Sequence, residues 1–159
     1  MIVREIQDAD RAWLGALIER EWGLPVVSVS GVCDPTELPA LVAYEGPEPL
    51  GALTYRLQPD GCEVVTLNAL VEGRGVGSAL LAAARDVADE RGQRLWLVTT
   101  NANIRAIGFY QRRGMDLVAL HRDFVDVVRR HKPTVADGSG SGIPMRHALE
   151  FAFPPRPRG

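Results

Sequence analysis

The chain has 159 residues, 46% of them hydrophobic, which suits one domain with a buried core. Its formal net charge of −2 gives no strong attraction to nucleic acid or to an anionic membrane, so neither is an expected partner. No run of roughly 18 apolar residues occurs, the first residues lack a signal-peptide pattern, and the two cysteines show neither metal-ligand nor redox spacing. We therefore expect a cytoplasmic protein without a bound metal, one domain over residues 1–159 and a disordered tail at 154–159.

The first 40 residues predict one strand, one helix and a segment of mixed character. Met1–Gln7 alternates apolar and polar residues, as a half-buried strand does. Asp8 or Asp10 can cap the helix that follows, which ends near Glu21. Its apolar positions recur at three- and four-residue steps: Trp13, Leu14, Leu17, Ile18 and Trp22. Val26–Pro39 predicts either a short strand or an irregular loop.

Three antiparallel strands are predicted next. Leu38–Tyr44 and Leu50–Leu57 are apolar segments joined by a turn that contains glycine and proline, and Pro59–Gly61 forms a second turn. The third strand, Glu63–Leu70, is mostly apolar and β-branched, which is typical of a strand covered on both faces. The three strands together predict a meander.

A glycine-rich turn follows this meander. Gly73, Gly75 and Gly77 stand at every second position, and apolar residues at helical spacing then predict a helix from about Gly75 to Arg91. Glycine permits positive φ and close approach to a ligand, and the first N–H groups of a helix favour an anion. With Arg74 in the turn, the pattern favours a phosphate-binding loop over a plain strand-to-helix connection.

Two nucleotide-binding motifs fit this turn poorly. A P-loop requires Gly-Lys-Ser/Thr at its end, and no lysine is present here. A dinucleotide fingerprint requires a third glycine where this chain has Ser78, and an acidic residue after the next strand, which here ends in Thr-Thr-Asn. A binder of nucleotide phosphates stays open as a further interpretation.

The rest of the chain alternates between strands and helices. The predicted elements are a strand at Arg94–Thr100, a helix at Asn103–Arg113, a strand at Met115–His121, a short helix at Arg122–His131, a flexible loop at Asp137–Pro144 and a last strand at Arg146–Phe153. Such an order indicates a mixed sheet with helices on its faces.

Two segments resemble the GNAT superfamily of acyl-CoA-dependent N-acyltransferases. Glu72–Gly77 (E-G-R-G-V-G) is similar to the family motif [Q/R]-x-x-G-x-[G/A] between the fourth strand and the next helix. Glu72 replaces the usual Gln or Arg and places an anion near the expected diphosphate. Asn101–Met115 resembles the second motif, N-x-x-A-x-x-[F/L]-Y-x-x-x-G-[F/M]; the matching residues are Asn103, Ala106, Phe109, Tyr110 and Gly114.

The resemblance implies a fold and a co-substrate. The fold is α/β (α+β), with a mixed, mostly antiparallel central sheet of about seven strands flanked by helices. The co-substrate is acetyl-CoA. A strand bulge at Asn68–Val71 would open main-chain groups to its pantetheine arm and to the developing oxyanion. The implied cofactor-binding residues are Asn68, Ala69, Leu70, Val71, Arg74, Gly75, Val76, Gly77, Ser78, Asn103 and Tyr110.

The implied reaction is attack of a primary amine on the thioester within a ternary complex. Because an alkylammonium has a pKa near 10.4, only about one molecule in 2,500 is nucleophilic at pH 7. The site must therefore take up a proton and protonate the leaving thiolate. By resemblance, Tyr110 is the candidate acid and Glu63 the candidate base; the alternatives are a packing tyrosine and a solvent-facing strand carboxylate. His121 and His131 are further possible bases.

The predicted function is thus N-acetyl transfer from acetyl-CoA to a small molecule or peptide. The alternative is a non-catalytic acyl-CoA sensor. The acceptor amine is not encoded in any motif; by resemblance its pocket is formed by Val26–Pro39 and His121–Met145. A homodimer is also what the resemblance suggests.

Overall fold

The computed structural model describes residues 1–135 and 140–157. Within these residues the elements are β1 (Ile2–Glu5), α1 (Arg11–Glu21), β2 (Val26–Ser28), β3 (Gly31–Cys33), β4 (Ala40–Glu45), β5 (Glu48–Gln58), β6 (Gly61–Ala69), α2 (Val76–Glu90), β7 (Leu95–Thr100), α3 (Ile104–Arg112), β8 (Asp116–His121), α4 (Phe124–His131) and β9 (Ala148–Phe153). Short 3₁₀ turns lie at Asp8–Asp10 and Pro35–Glu37. None of the helices in these residues is long and apolar enough to cross a membrane.

The predicted fold class is confirmed. Seven strands form a mostly antiparallel main sheet, and β2 and β3 form a separate two-stranded sheet. The chain divides into two compact units. The first comprises residues 1–26, 34–95 and 154–159, and the second comprises residues 27–33 and 96–153.

The first unit contains the strand order β1-β4-β5-β6, with every neighbouring pair antiparallel. Helix α1 buries its apolar stripe against the small residues Ala40, Val42 and Ala52, each at most 2% exposed. Helix α2 packs on β4, β5 and β6. Because Ala40–Ala43 are all buried, both faces of β4 are covered, as expected for a central strand without alternation.

The pairing of β5 with β6 contains one irregularity, which is not where the sequence places it. Thr54 pairs with Thr66 and Tyr55 with Val64, so Val65 is the extra residue. Asn68 and Ala69 remain in regular register with β5, and the bulge predicted at Asn68–Val71 is therefore wrong for this pairing. The cause is that β6 is buried on both faces from Gly61 to Thr66, so no change of alternation marks the extra residue.

The second unit contains the strand order β7-β9-β8. Strands β8 and β9 are antiparallel, with Asp116 opposite Ala152 and His121 opposite Ala148. Helix α3 packs on β8, and Phe151 and Phe153 of β9 are buried. Of the predicted loop, Asp137–Ser139 lie outside the described residues.

Polar contacts correct one local prediction and add one contact that the sequence did not predict. The Asp10 side chain does not cap α1; instead it accepts hydrogen bonds from the Gln7 N–H, Arg4 and the Tyr44 hydroxyl. Together these three donors hold the pKa of Asp10 below its usual value against the opposing effect of burial.

After the last strand, Arg156 forms ion pairs with Asp86 and Asp89 of α2, at 3.5 and 3.3 Å.

Gly51 marks a close approach between β5, β6 and the start of α2. A Cβ atom added there would lie 2.4 Å from the Asn68 carbonyl oxygen and 2.8 Å from Cγ1 of Val76. The first of these atoms belongs to the backbone and cannot move away alone. Only a glycine therefore allows the three elements to meet at this point.

We predict that Gly51→Ala lowers the free energy of unfolding by about 1–3 kcal/mol, as is usual for overpacking a tight core site. Urea denaturation at fixed pH measures this change. Gly15→Ala is the matched control, because a Cβ there meets only one side-chain methyl at 3.9 Å. Equal stability of the two variants would contradict the prediction.

Candidate functional site

The segment that joins β6 to α2 is an exposed loop with two left-handed glycines. Gly73 and Gly75 each have φ of 73°, and Gly75 is the N-cap of α2. A Cβ added at either position meets nothing within 4 Å. Glycine is thus required here by backbone conformation and not by crowding, since a side chain at positive φ is strained.

The start of α2 presents main-chain donors. The Ala79 N–H bonds to the Gly75 carbonyl at 3.0 Å, so the N–H groups of Val76 and Gly77 precede the hydrogen-bond ladder of the helix. Together with the helix dipole they favour an anion at this end. The Leu70 N–H is instead engaged by the Leu50 carbonyl at 2.8 Å, so Leu70 has no main-chain donor to offer a ligand.

Charges of both signs surround the loop. The Arg74 guanidinium lies 3.3 Å from the Glu45 carboxylate, which also pairs with the N-terminal ammonium at 3.3 Å. Arg74 and Glu45 are each about half exposed, so this pair is weak and can exchange for an anionic ligand. Glu45 is a loop neighbour that the sequence did not reveal, and the exposed Glu72 lies two residues before Arg74 in the chain.

Strand β6, which leads into the loop, is hydrogen-bonded to the C-terminal end of helix α1. The Trp22 indole N–H donates to Oδ1 of Asn68 at 2.6 Å. Trp22 is 40% exposed, whereas Trp13 is partly buried against the α1 core. The two tryptophans among the apolar positions of the predicted first helix therefore have different environments.

Glu63 lies in β6 of the same unit and is fully buried. Its Oε1 atom is 3.3 Å from NH2 of Arg56, directly across the β5–β6 pairing. The alternative of a solvent-facing carboxylate is wrong. A buried carboxylate needs such a partner because its desolvation is otherwise prohibitive.

The second motif lies in the second unit. Asn103 is the N-cap of α3, and its side chain accepts the Ala106 N–H at 3.2 Å, as predicted for a cap. The Tyr110 ring packs edge-on against Phe109 at 5.4 Å and lies 6.0 Å from Phe151. Burial raises the pKa of the Tyr110 phenol to about 12, so it is protonated at neutral pH. Among the described residues no group hydrogen-bonds its hydroxyl.

The second unit also contains a cavity of about 530 Å³. Residues of the β2–β3 hairpin, His121, Arg122 and α4 line it. The two lining segments fall within the ranges that the resemblance implied for the acceptor pocket. Residues 1–135 and 140–157 contain no group of three His, Cys, Asp or Glu side chains placed to hold a metal ion.

Comparison with known proteins identifies the family. The model of the acetyltransferase (GNAT) family matches residues 6–115. The chain belongs to the GNAT acetyltransferase family. An uncharacterized Bacillus subtilis (strain 168) protein, YdhI, is 32% identical over 96% of this chain and 97% of its own length.

Solved acetyltransferase structures share the fold. A B. subtilis acetyltransferase in complex with CoA matches with a TM-score of 0.68 and 16% identity, over 96% of this chain and 97% of that chain. A GNAT family acetyltransferase from Elizabethkingia anophelis with acetyl-CoA bound matches with a TM-score of 0.68 and 14% identity, over 96% and 97% of the two chains. At this identity the likeness shows the fold alone.

Several residues of this GNAT chain were missed by the sequence analysis. Gly51 was missed because a lone glycine in an apolar strand has no distinguishing neighbour, although an interior strand glycine is itself a signal of close backbone approach. Trp22, Glu45 and Arg56 were missed as partners because each contact joins residues distant in the chain, or depends on strand register. Glu150, 8% exposed in β9, was missed for the same reason.

We predict that Glu63→Leu lowers the free energy of unfolding by about 3 kcal/mol, because it leaves the Arg56 charge without its buried partner. Urea denaturation measures the loss, with the exposed Glu48→Leu at the start of β5 as control. The prediction fails if Glu63→Leu is as stable as the parent chain. Restoration of stability in the double variant Arg56→Met/Glu63→Leu would confirm that the cost arises from the loss of this ion pair.

Proposed function

We propose that the protein is an acetyl-CoA-dependent N-acetyltransferase that acts on a primary amine by direct attack in a ternary complex. The observation that carries the proposal is the left-handed Gly75 cap, which places the donors of Val76 and Gly77 at the exposed start of α2. Family membership and the CoA and acetyl-CoA in two structural neighbours support the same choice of co-substrate.

In this proposal the loop binds the diphosphate of the co-substrate. The N–H groups of Gly75, Val76, Gly77 and Ser78 donate to phosphate oxygens, and Arg74 exchanges Glu45 for the diphosphate. Carbonyl and amide groups of Asn68–Val71 meet the pantetheine arm, with Leu70 contributing its carbonyl because its N–H is engaged. Asn103, at the start of α3, helps to hold the pantetheine or diphosphate part of the co-substrate.

The chemical step transfers the acetyl group without an enzyme-bound intermediate. The amine nitrogen attacks the thioester carbonyl, the C–S bond breaks, and the thiolate takes the proton of the Tyr110 phenol. Glu63 accepts the amine proton, directly or through water. His121 is the alternative acceptor, since Glu150 holds its imidazole at 3.0 Å.

A second candidate function is an acyl-CoA sensor without transfer. The observation in its favour is the Arg56–Glu63 ion pair, which engages the carboxylate of the proposed base. A panel of amines assayed for thiol release from acetyl-CoA discriminates the two. Steady turnover with any physiological amine excludes the sensor, and binding without turnover across the panel favours it.

We predict that Gly75→Val raises the dissociation constant for acetyl-CoA at least tenfold, because a β-branched residue cannot keep φ at 73° and hold the loop donors in place. Isothermal titration calorimetry measures the binding. Gly140→Val is the matched control, since Gly140 has φ of 81° in open surroundings and is not part of the loop. Unchanged affinity in Gly75→Val, or no heat with the parent chain, would exclude the loop as the cofactor site.

We predict that Tyr110→Phe lowers kcat by about 100-fold or more and leaves the acetyl-CoA dissociation constant within a factor of about two. The ring contacts with Phe109 and Phe151 are kept, so only the proton donor is lost. Tyr55→Phe, which also removes a buried phenol, serves as the control. An unchanged kcat would reduce Tyr110 to a packing residue.

The raised pKa adds a pH test. Because the Tyr110 phenol has a pKa of about 12, it keeps its proton throughout the neutral and moderately alkaline range. We therefore expect that ionisation of Tyr110 causes no decline in kcat between about pH 8 and pH 10. Any decline of kcat in this range should be the same in the parent chain and in Tyr110→Phe. A decline there that disappears in the variant would show that Tyr110 ionises at lower pH.

A further inference from the structure

The cavity of the second unit combines an apolar wall with a small number of polar groups. Its apolar wall consists of Val27, Val29 and Val32 of the hairpin together with Phe124 and Val127 of α4. Positions 124, 127 and 131 recur on one face of α4, so this helix presents a continuous apolar and imidazole surface. Such a wall suits the hydrocarbon part of a ligand.

The polar groups that line the cavity are Ser28, His121, Arg122 and His131. Imidazoles carry either no charge or a positive one, and Arg122 is always positive. No carboxylate lines the cavity within the described residues. Among those residues Arg122 also has no hydrogen bond or ion pair, so its guanidinium is available to a ligand.

Three carboxylates of the second unit lie near the lining residues, and none of them lines the cavity: Asp126 of α4 is exposed, and the other two contact basic side chains. Glu150 holds His121, and Asp123 lies 3.6 Å from NH2 of Arg146 and 3.8 Å from Nδ1 of His147. Among its described residues the second unit has eight arginine and lysine side chains and four aspartate and glutamate side chains. The local field therefore favours an anionic group and opposes a ligand with several positive charges.

We propose that this cavity binds the acceptor, and that the acceptor is a primary amine with an apolar body and a carboxylate group that pairs with Arg122. The inference rests on the proposed function and adds the substrate class. Once the amine is deprotonated for attack, such an acceptor retains one negative charge, which complements the lining. A polyamine or an aminoglycoside would instead retain positive charges facing Arg122 and two imidazoles.

Matched acceptors test this class. L-phenylalanine, phenethylamine and spermidine are compared by kcat/KM from thiol release at saturating acetyl-CoA. We expect phenylalanine to exceed phenethylamine and spermidine at least tenfold, the effect of one charge-assisted contact. Arg122→Gln should remove this preference by lowering kcat/KM for phenylalanine about tenfold while changing the value for phenethylamine less than twofold. The control Arg130→Gln, an exposed α4 residue that does not line the cavity, should retain it.

The opposite results overturn the inference. These are a preference for spermidine or phenethylamine, or an Arg122→Gln effect of equal size on both aromatic acceptors. A second readout uses amide chemical shifts of the β2–β3 hairpin and α4 during titration with phenylalanine. Absence of both shifts and turnover in a chain that binds acetyl-CoA rejects the acceptor class and leaves the co-substrate assignment standing. Shifts that depend on Arg122 in a chain that fails to bind acetyl-CoA reject the proposed function and retain the cavity as a carboxylate site.

Discussion

The close approach of three backbone segments at Gly51 is the constraint on which the loop after β6 depends. With no Cβ at this position, the Asn68 carbonyl and the Val76 side chain both pack against β5. Val76 is fully buried and is the first residue of α2, so this contact fixes where the helix starts relative to the end of β6. The left-handed glycines then complete the short connection, with helical donors left exposed on the outside.

Polar pairs between β5 and β6 determine the register that leads to this point. The hydroxyls of Thr54 and Thr66 lie 2.6 Å apart inside the sheet, and Arg56, two residues further along β5, faces Glu63. A shift of one residue would separate both pairs and bury unpaired groups, which is costly. These polar contacts therefore specify the alignment of two otherwise apolar strands, whose side chains alone would accept several registers.

Prediction from the sequence succeeded where periodicity or a local motif carries the information. The α2 and α3 helices lie within one or two residues of their expected bounds, because apolar spacing and the Asn103 cap are local signals. The glycine loop was found for the same reason. The extra residue at Val65 and the partner of Glu63 were not found, since they depend on which strands pair and in what register. The partner of Asn68 was not found because it lies at the end of a helix far away in the chain. The hairpin at residues 26–33 was ambiguous because its strands have only three residues each.

The indole of Trp22 has one further consequence. Trp22 is the most exposed of the three tryptophans, since it is 40% exposed, Trp13 is partly buried and Trp96 is 4% exposed. Its N–H is bound to the strand that ends at the glycine loop. Any rearrangement of Asn68 therefore alters the solvation of an emitting side chain, which gives the protein an intrinsic fluorescent reporter of events at that loop.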